Sequence, residues 1–143
     1  MRERARREVE QRIAAVRVLY DSAEGRLATY YTLNAVAVER SDLPPALTHR
    51  VAKYRVYPAT LLGRLAVDRE YQGPRLGGRL LLDALARALV ASREVASFAI
   101  ITDAKDGNAQ SFYERYEFRS LPTEQCGRRL FLPMETVRRL FAE

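Results

Sequence analysis

The side chains that most often carry chemistry are scarce in this chain. There is one histidine, His49, and one cysteine, Cys126, so neither a zinc site nor a Cys/His nucleophile pair is expected. His49 reads as a surface residue of a short helix and Cys126 as a bystander in a loop. No spacing singles out a general base. Glu70 follows Arg69 near a strand end and reads as a solvated surface charge. Glycine is what stands out. In "LAVDREYQGPRLGGRLLLDALARAL", Leu65 to Leu89, a strand-like run ends in a turn holding Gly73, Pro74, Gly77 and Gly78, and a leucine-rich helical pattern follows at once. Glycine lets a ligand approach bare backbone. A helix N-terminus offers free N–H groups and about half a positive charge. A strand, a glycine turn and a helix in that order can therefore bind phosphate. A purely structural turn reads the same way, because the spacing matches neither the P-loop nor the dinucleotide pattern GxGxxG.

The elements that must hold this turn follow from periodicity. Residues 2 to about 12 alternate Arg and Glu with Ala5, Val9 and Ile13 at helical spacing, a short and highly charged helix. "AVRVLYD" (Ala15 to Asp21) and "LATYYTLNAVAVE" (Leu27 to Glu39) are rich in β-branched and aromatic residues. They read as an antiparallel hairpin, its second strand bent near Asn34. Ser41 and Asp42 have N-cap chemistry, and a short helix is expected from about Pro45 to Lys53. "ATLLGRLAVD" and "ASFAIITDA" are apolar enough for strands buried on both faces. Between them lies the clearest element, a helix from about Leu76 to Ser92 with Leu81, Leu85, Ala88 and Leu89 on one face and Leu82 beside them. "NAQSFYERY" is a short helix, "GRRLFLPM" a last strand, and "ETVRRLFAE" a terminal helical turn or two. Two adjacent strand–helix units imply parallel strands in a mixed α/β sheet.

Composition sets the outer limits. The chain has 143 residues, 48% hydrophobic and 29% charged, which fits one soluble domain with its own core. No apolar run approaches the roughly 20 residues that span a bilayer, and "MRERARREVEQR" lacks the apolar stretch of a signal peptide. A cytoplasmic protein without a membrane partner is expected, and a single cysteine fits that compartment. The net charge is +6, and 22 of the 24 basic residues are arginine. Arginine binds phosphate in a bidentate way, so the sign points to an anionic ligand, although a GC-rich genome also enriches arginine.

Two blocks carry a resemblance. "YQGPRLGG" resembles the Gln/Arg-x-x-Gly-x-Gly/Ala motif of GNAT acetyltransferases, with Gln72 in the first position and Gly77 in the last. "DAKDGNAQSFYERYEF" is similar to that family's Asn-x-x-Ala-x-x-Phe-Tyr-x-x-x-Gly-Phe pattern, with Asp106 at Asn, Ala109 at Ala, Phe112 and Tyr113 at Phe-Tyr, and Phe118 at the last Phe. "YYTL", "LLGRLAVD", "DAKD" and "RLFLPM" resemble the toxin branch, found in bacterial toxin–antitoxin pairs. The resemblance covers roughly residues 14 to 134. It implies a single GNAT domain over residues 1–143, with a mixed, mostly antiparallel sheet flanked by helices and a V-shaped split between the two central parallel strands. The start reads as shortened, since family members usually carry another helix and loop there.

The resemblance also implies a site. Acetyl-CoA is the cosubstrate, and no metal is needed. Its diphosphate would lie on the loop and helix start formed by Gln72, Gly73, Pro74, Arg75, Leu76, Gly77 and Gly78. Its pantetheine arm would run along Leu65, Ala66 and Val67. Asp106, Ala109 and Phe112 would complete the cofactor site. Transfer to an amine needs a polarised thioester carbonyl, a neutral amine and a protonated leaving group. Backbone N–H at a strand bulge can meet the first need. Tyr113 matches the branch's general acid, and a phenol with an ordinary pKa of about 10 is protonated at neutral pH; packing among Phe112, Tyr116 and Phe118 is its structural alternative. With no evident base, an α-amine titrating near about 8 is an easier acceptor than lysine. The branch acetylates that amine on aminoacyl-tRNA and so blocks translation. The resemblance also implies a homodimer and an antitoxin partner. Leu140 and Phe141 are candidates for either interface, and Arg2, Arg4, Arg6, Arg7, Arg12, Arg128 and Arg129 are candidates to meet tRNA. A GNAT enzyme of a small amine or protein N-terminus is one alternative, and a degenerate member that only binds partners is another. Arg75 and Glu117 replace glycines of the family pattern: Arg75 is strained if its position needs positive φ, or its guanidinium adds a charge-assisted contact to phosphate, and Glu117 stands where a turn wants freedom.

Overall fold

The β-rich N-terminal half forms a hairpin, as its composition dictates. In the computed structural model, which describes residues 15–21, 26–49, 53–67, 76–121 and 128–142, β1 (Ala15–Asp21) pairs antiparallel with β2 (Arg26–Glu39). β2 pairs antiparallel with β3 (Val56–Val67). Between them the chain makes a 3-10 turn at Arg40–Asp42 and a single turn of helix, α1 (Pro45–Thr48). This corrects the expectation of a helix to Lys53. Ser41 and Asp42 are spent in the 3-10 turn, and α1 is preceded by Pro44, which caps nothing with its side chain. Pro45 opens α1 at a position where a missing N–H is tolerated.

The second half alternates strand and helix: α2 (Leu76–Ala91), β4 (Ala99–Asp103), α3 (Gly107–Glu114), β5 (Arg119–Ser120), β6 (Arg129–Pro133) and α4 (Met134–Leu140). The strands form one sheet in the order β1-β2-β3-β4-β6-β5. Only β3 and β4 run parallel, and the other pairs are antiparallel. The expected N-terminal charged helix lies outside the described residues.

Two cores cover the two faces. On one, Tyr31, Leu62, Ile100, Leu130 and Leu132 meet Leu81, Ala84, Leu85 and Ala88 of α2 and Val137 of α4. On the other, Val38, Tyr57, Ala59, Ile101 and Phe131 gather with Leu43. β4 is thus buried on both faces, as its apolar run implied. Leu82 departs from expectation and stands exposed. It lies about 100° around the helix from Leu81 and so misses the sheet.

The parallel pair is where the sheet opens. β3 and β4 match at Thr60↔Ile100, Leu61↔Ile101 and Leu62↔Thr102 only. Residues 63–67 continue β3 without a β4 partner, still held by β2 on the other edge. A register shift sits at the same level. Leu33 opposes Leu62 and Thr32 opposes Arg64, so Gly63 has no opposite number. The extra residue inverts the alternation of side chains. Leu62 and Leu65 therefore both pack against the α2 core although they are three positions apart.

Candidate active site

The site is assembled at the apex of this split. α3 begins at Asp106, whose extended backbone and carboxylate form an N-cap: Oδ1 accepts the Ala109 N–H at 2.8 Å. That satisfies one of the free donors of the first turn and sets where the helix starts. The Asp106 carboxylate thus serves the helix that carries Tyr113.

Tyr113 is buried, with 7% of its surface exposed. Its ring lies edge-on to Phe112 at 5.2 Å and tilted against Phe118 at 5.4 Å. The aromatic group anticipated from the sequence is thus present, and it orients the ring. The polar side chain that bears on the phenolic end is that of Thr102. Thr102 itself donates from Oγ1 to the Leu62 carbonyl at 2.9 Å. Leu62 and Thr102 are the last matched pair before β3 and β4 separate. Burial pushes the Tyr113 phenol above its ordinary value of 10.0, and the Thr102 side chain acts more weakly in the opposite sense. At neutral pH the phenol therefore holds its proton.

The helix start beside it is built against α3. A Cβ on Gly77 would lie 3.7 Å from the Phe112 ring, and one on Gly78 would run into the Tyr116 hydroxyl. Gly78 thus lets Tyr116 lie on the first turn of α2, whereas a side chain at Gly77 would meet Phe112 at ordinary contact distance. Phe112 and Tyr116 are themselves tilted together at 5.4 Å, and the Arg115 guanidinium sits 5.9 Å from the Phe112 centroid. Ala109 and Leu65 are partly buried against the same core. Ala66 and Val67 pair with Tyr30 and Thr29 of β2 and have no β4 partner. Leu76 opens α2. Leu65, Ala66, Val67, Leu76, Gly77, Gly78, Ala109, Phe112 and Tyr113 are thereby drawn to one end of the sheet, around the split. Gln72, Gly73, Pro74 and Arg75 lie outside the described residues, as do Glu70, Cys126 and the N-terminal arginines.

The remaining candidates sort themselves. His49 is exposed at the end of α1. Among the described residues no group of three or more His, Cys, Asp or Glu could hold a metal. Arg129 grips Asp103 with two bonds, 2.7 and 2.9 Å, across β4 and β6, whereas Arg128 is exposed. Two residues escaped sequence reasoning. Thr102 was the only polar residue inside the apolar run "AIIT", a signal that reads equally well as a buried β-former. Gly63 was an isolated glycine in a strand, which marks a bulge or a close approach. Both apply here, since a Cβ on Gly63 would lie 2.8 Å from Thr32 Oγ1.

A sheet parted between its two parallel strands, with a buried phenol at the apex, defines an acetyltransferase scaffold. The chain belongs to the GNAT family: the acetyltransferase (GNAT) domain matches residues 49–137. Within that family it is similar to the tRNA-acetylating toxin of Mycobacterium tuberculosis, 33% identical over 120 residues, which are 84% of this chain and 70% of that protein. It is similar in structure to AtaT complexed with acetyl-methionyl-tRNAfMet, with a TM-score of 0.87, 29% identity, and coverage of 96% of this chain and 81% of that one. A tyrosine-to-phenylalanine mutant of the AtaT toxin, bound to the C-terminus of the antitoxin AtaR and acetyl-CoA, gives a TM-score of 0.79 at 28% identity, covering 96% of this chain and 78% of that one.

Proposed function

We propose that this chain transfers the acetyl group of acetyl-CoA to the α-amine of aminoacyl-tRNA, and that it thereby blocks translation as the toxin of a toxin–antitoxin pair. The observation that carries the reading is the buried, protonated phenol of Tyr113 in a sheet whose parallel strands β3 and β4 part after Leu62 and Thr102. The relatives, one a tRNA-acetylating toxin and another complexed with an acetylated aminoacyl-tRNA, supply the substrate class.

In this reading the pantetheine arm lies along the free edge of residues 63–67 and the diphosphate on the segment from Gln72 to Gly78. Main-chain N–H groups at the bulge polarise the thioester carbonyl. The acceptor amine, with an ordinary pKa near about 8, is partly neutral without a dedicated base. Its nitrogen attacks the carbonyl carbon, the C–S bond breaks, Tyr113 gives its proton to the departing sulfur, and the proton that the nitrogen sheds restores the phenol by way of solvent. Asp106 supports this step through α3, which it caps.

Partners follow from the same reading. An antitoxin tail neutralises the toxin, as the AtaR C-terminus binds AtaT. The chain works in the cytoplasm, where charged tRNA is found, as a homodimer to which the exposed Leu140 and Phe141 at the end of α4 contribute. Labelled acetyl-CoA and bulk charged tRNA test the central claim. Wild type should label the aminoacyl end, and Tyr113→Phe should be slower by about a hundredfold or more, the usual range for a lost general acid. Equal rates for the two proteins, or label on free amines alone, would rule it out.

A further inference from the structure

We propose that Tyr31 and Asp83 are positioning residues for acetyl-CoA, which clamp α2 to the sheet beside residues 63–67 of β3; the role rests on the acetyl-transfer reading above. Tyr31 lies in the run "YYTL", and of its two tyrosines it is the one that joins the α2 core. Tyr31 is 0% exposed, yet its hydroxyl reaches α2 and donates to Asp83 Oδ2 at 2.6 Å. That length is characteristic of a hydroxyl bound to a charged oxygen, one of the stronger kinds of hydrogen bond. The Asp83 side chain is half exposed, and Arg87, one turn further on, lies 3.3 Å from the same oxygen.

The register places this bond at the split. Tyr31 opposes Leu65, one of the residues that continue β3 without a β4 partner. Leu65 packs against the same core, and α2 lies against both β2 and β3. The Tyr31–Asp83 bond therefore ties the helix to the strand that backs residues 63–67. Leu81, Ala84, Leu85 and Ala88 hold α2 down by apolar contact, which is non-directional and leaves the helix able to slide or roll. A short bond from a buried ring is directional and sets where the helix rests. Asp83 stands about two turns beyond Leu76 and the glycines that open α2. A shift of α2 would thus move that first turn relative to residues 63–67, and together these form the cofactor's side of the split. Tyr113 stands on another helix, α3, which has its own cap at Asp106. The clamp accordingly acts on the binding of acetyl-CoA more than on the chemical step.

The test is calorimetry with acetyl-CoA alone, followed by kinetics with charged tRNA. Tyr31→Phe and Asp83→Ala should each weaken acetyl-CoA binding about threefold to tenfold and raise its KM to match, with kcat at saturation within about twofold. The double mutant should bind no more weakly than the worse single, because both changes remove one bond. Asp83→Asn keeps an acceptor oxygen and should recover most of the affinity. Arg87→Ala removes only an exposed pair and should stay within about twofold of wild type. Penalties that multiply in the double mutant, or a lower melting temperature with Kd unchanged, overturn the proposal and leave a bond that serves stability alone. A loss confined to kcat overturns it as well. Should Tyr31→Phe prove unfolded, Asp83→Ala, a change on the helix surface, carries the test. If wild type binds acetyl-CoA and the Tyr31 and Asp83 variants bind it equally well, this proposal fails alone. If wild type does not bind acetyl-CoA, the reading beneath it fails.

Discussion

Glu117 holds φ at 72°, the one positive value among the described non-glycine residues. It stands where the family pattern carries glycine, immediately before the buried Phe118. An L-residue in this region is strained by about 1–2 kcal/mol, offset in part by the greater chain entropy that a glycine loses on folding. Glu117→Gly should therefore stabilise the fold by up to about 1 kcal/mol and raise the melting temperature by a few degrees. A drop in melting temperature would show that the glutamate side chain contributes more than its backbone costs. Tyr113 gives a second residue-level expectation, in pH. Its phenol is raised above 10.0 by burial, so the folded state holds this proton more tightly than the unfolded chain does. The corresponding stability is complete below about pH 10 and is lost as pH climbs through the folded value. In the proposed role of general acid, Tyr113 would stay protonated through the range where the acceptor amine becomes neutral. The rate should rise across about pH 7–8 with the amine and show no phenol-linked fall until above about pH 10. A fall beginning near pH 8 would mean that another group donates the proton.

Gly63 shows how one residue shapes an element. It is the unmatched residue of the β2–β3 register shift, at the level where β3 leaves β4. Its missing side chain accommodates Thr32 Oγ1, 2.8 Å from where a Cβ would sit. Thr32 is buried and has little room to yield. Gly63→Ala should cost about 1–3 kcal/mol as an overpacking change and raise KM for acetyl-CoA, since the free edge of β3 begins there. Unchanged melting and unchanged KM together would show that the bulge is not set by this contact. Much of this element level was legible beforehand. β1, β2, α2, β4 and β6 declared themselves through period and β-branched content, and Glu117, which replaces the family's glycine before Phe118, was marked as a place where the turn wants freedom. What escaped was decided by tertiary contact. The two residues of β5 are too few to carry a period. α1 is a single turn that ends at His49 and has no side-chain cap at its start, because Ser41 and Asp42 lie in the 3-10 turn before it. Gly77 and Gly78 looked like a ligand turn, and the aromatics of α3 packed against them could be seen only once α2 and α3 were side by side.

At the scale of the molecule, the sheet supplies the split, and charge supplies the approach of a polyanion. The chain carries a net +6. Several of its arginines are engaged within the fold, as Arg129 with Asp103, Arg87 with Asp83 and Arg138 with Glu135 show. The tRNA-facing role expected for Arg129 is thus tempered by its grip on β4, and the adjacent exposed Arg128 is the better candidate for a phosphate contact. Each phosphate neutralised releases counterions, so binding weakens steeply with salt. Raising salt from about 50 to 200 mM should therefore raise KM for charged tRNA by a factor of ten or more if several such contacts form. KM for acetyl-CoA should change much less. Arg128→Ala should raise KM for charged tRNA severalfold, leave kcat near wild type, and flatten the salt dependence by about one unit of slope. A salt-insensitive KM for the acceptor would show instead that the amine arrives on a small or neutral carrier. A fall in kcat with the slope intact would place Arg128 in the geometry of the site rather than in the approach of the nucleic acid.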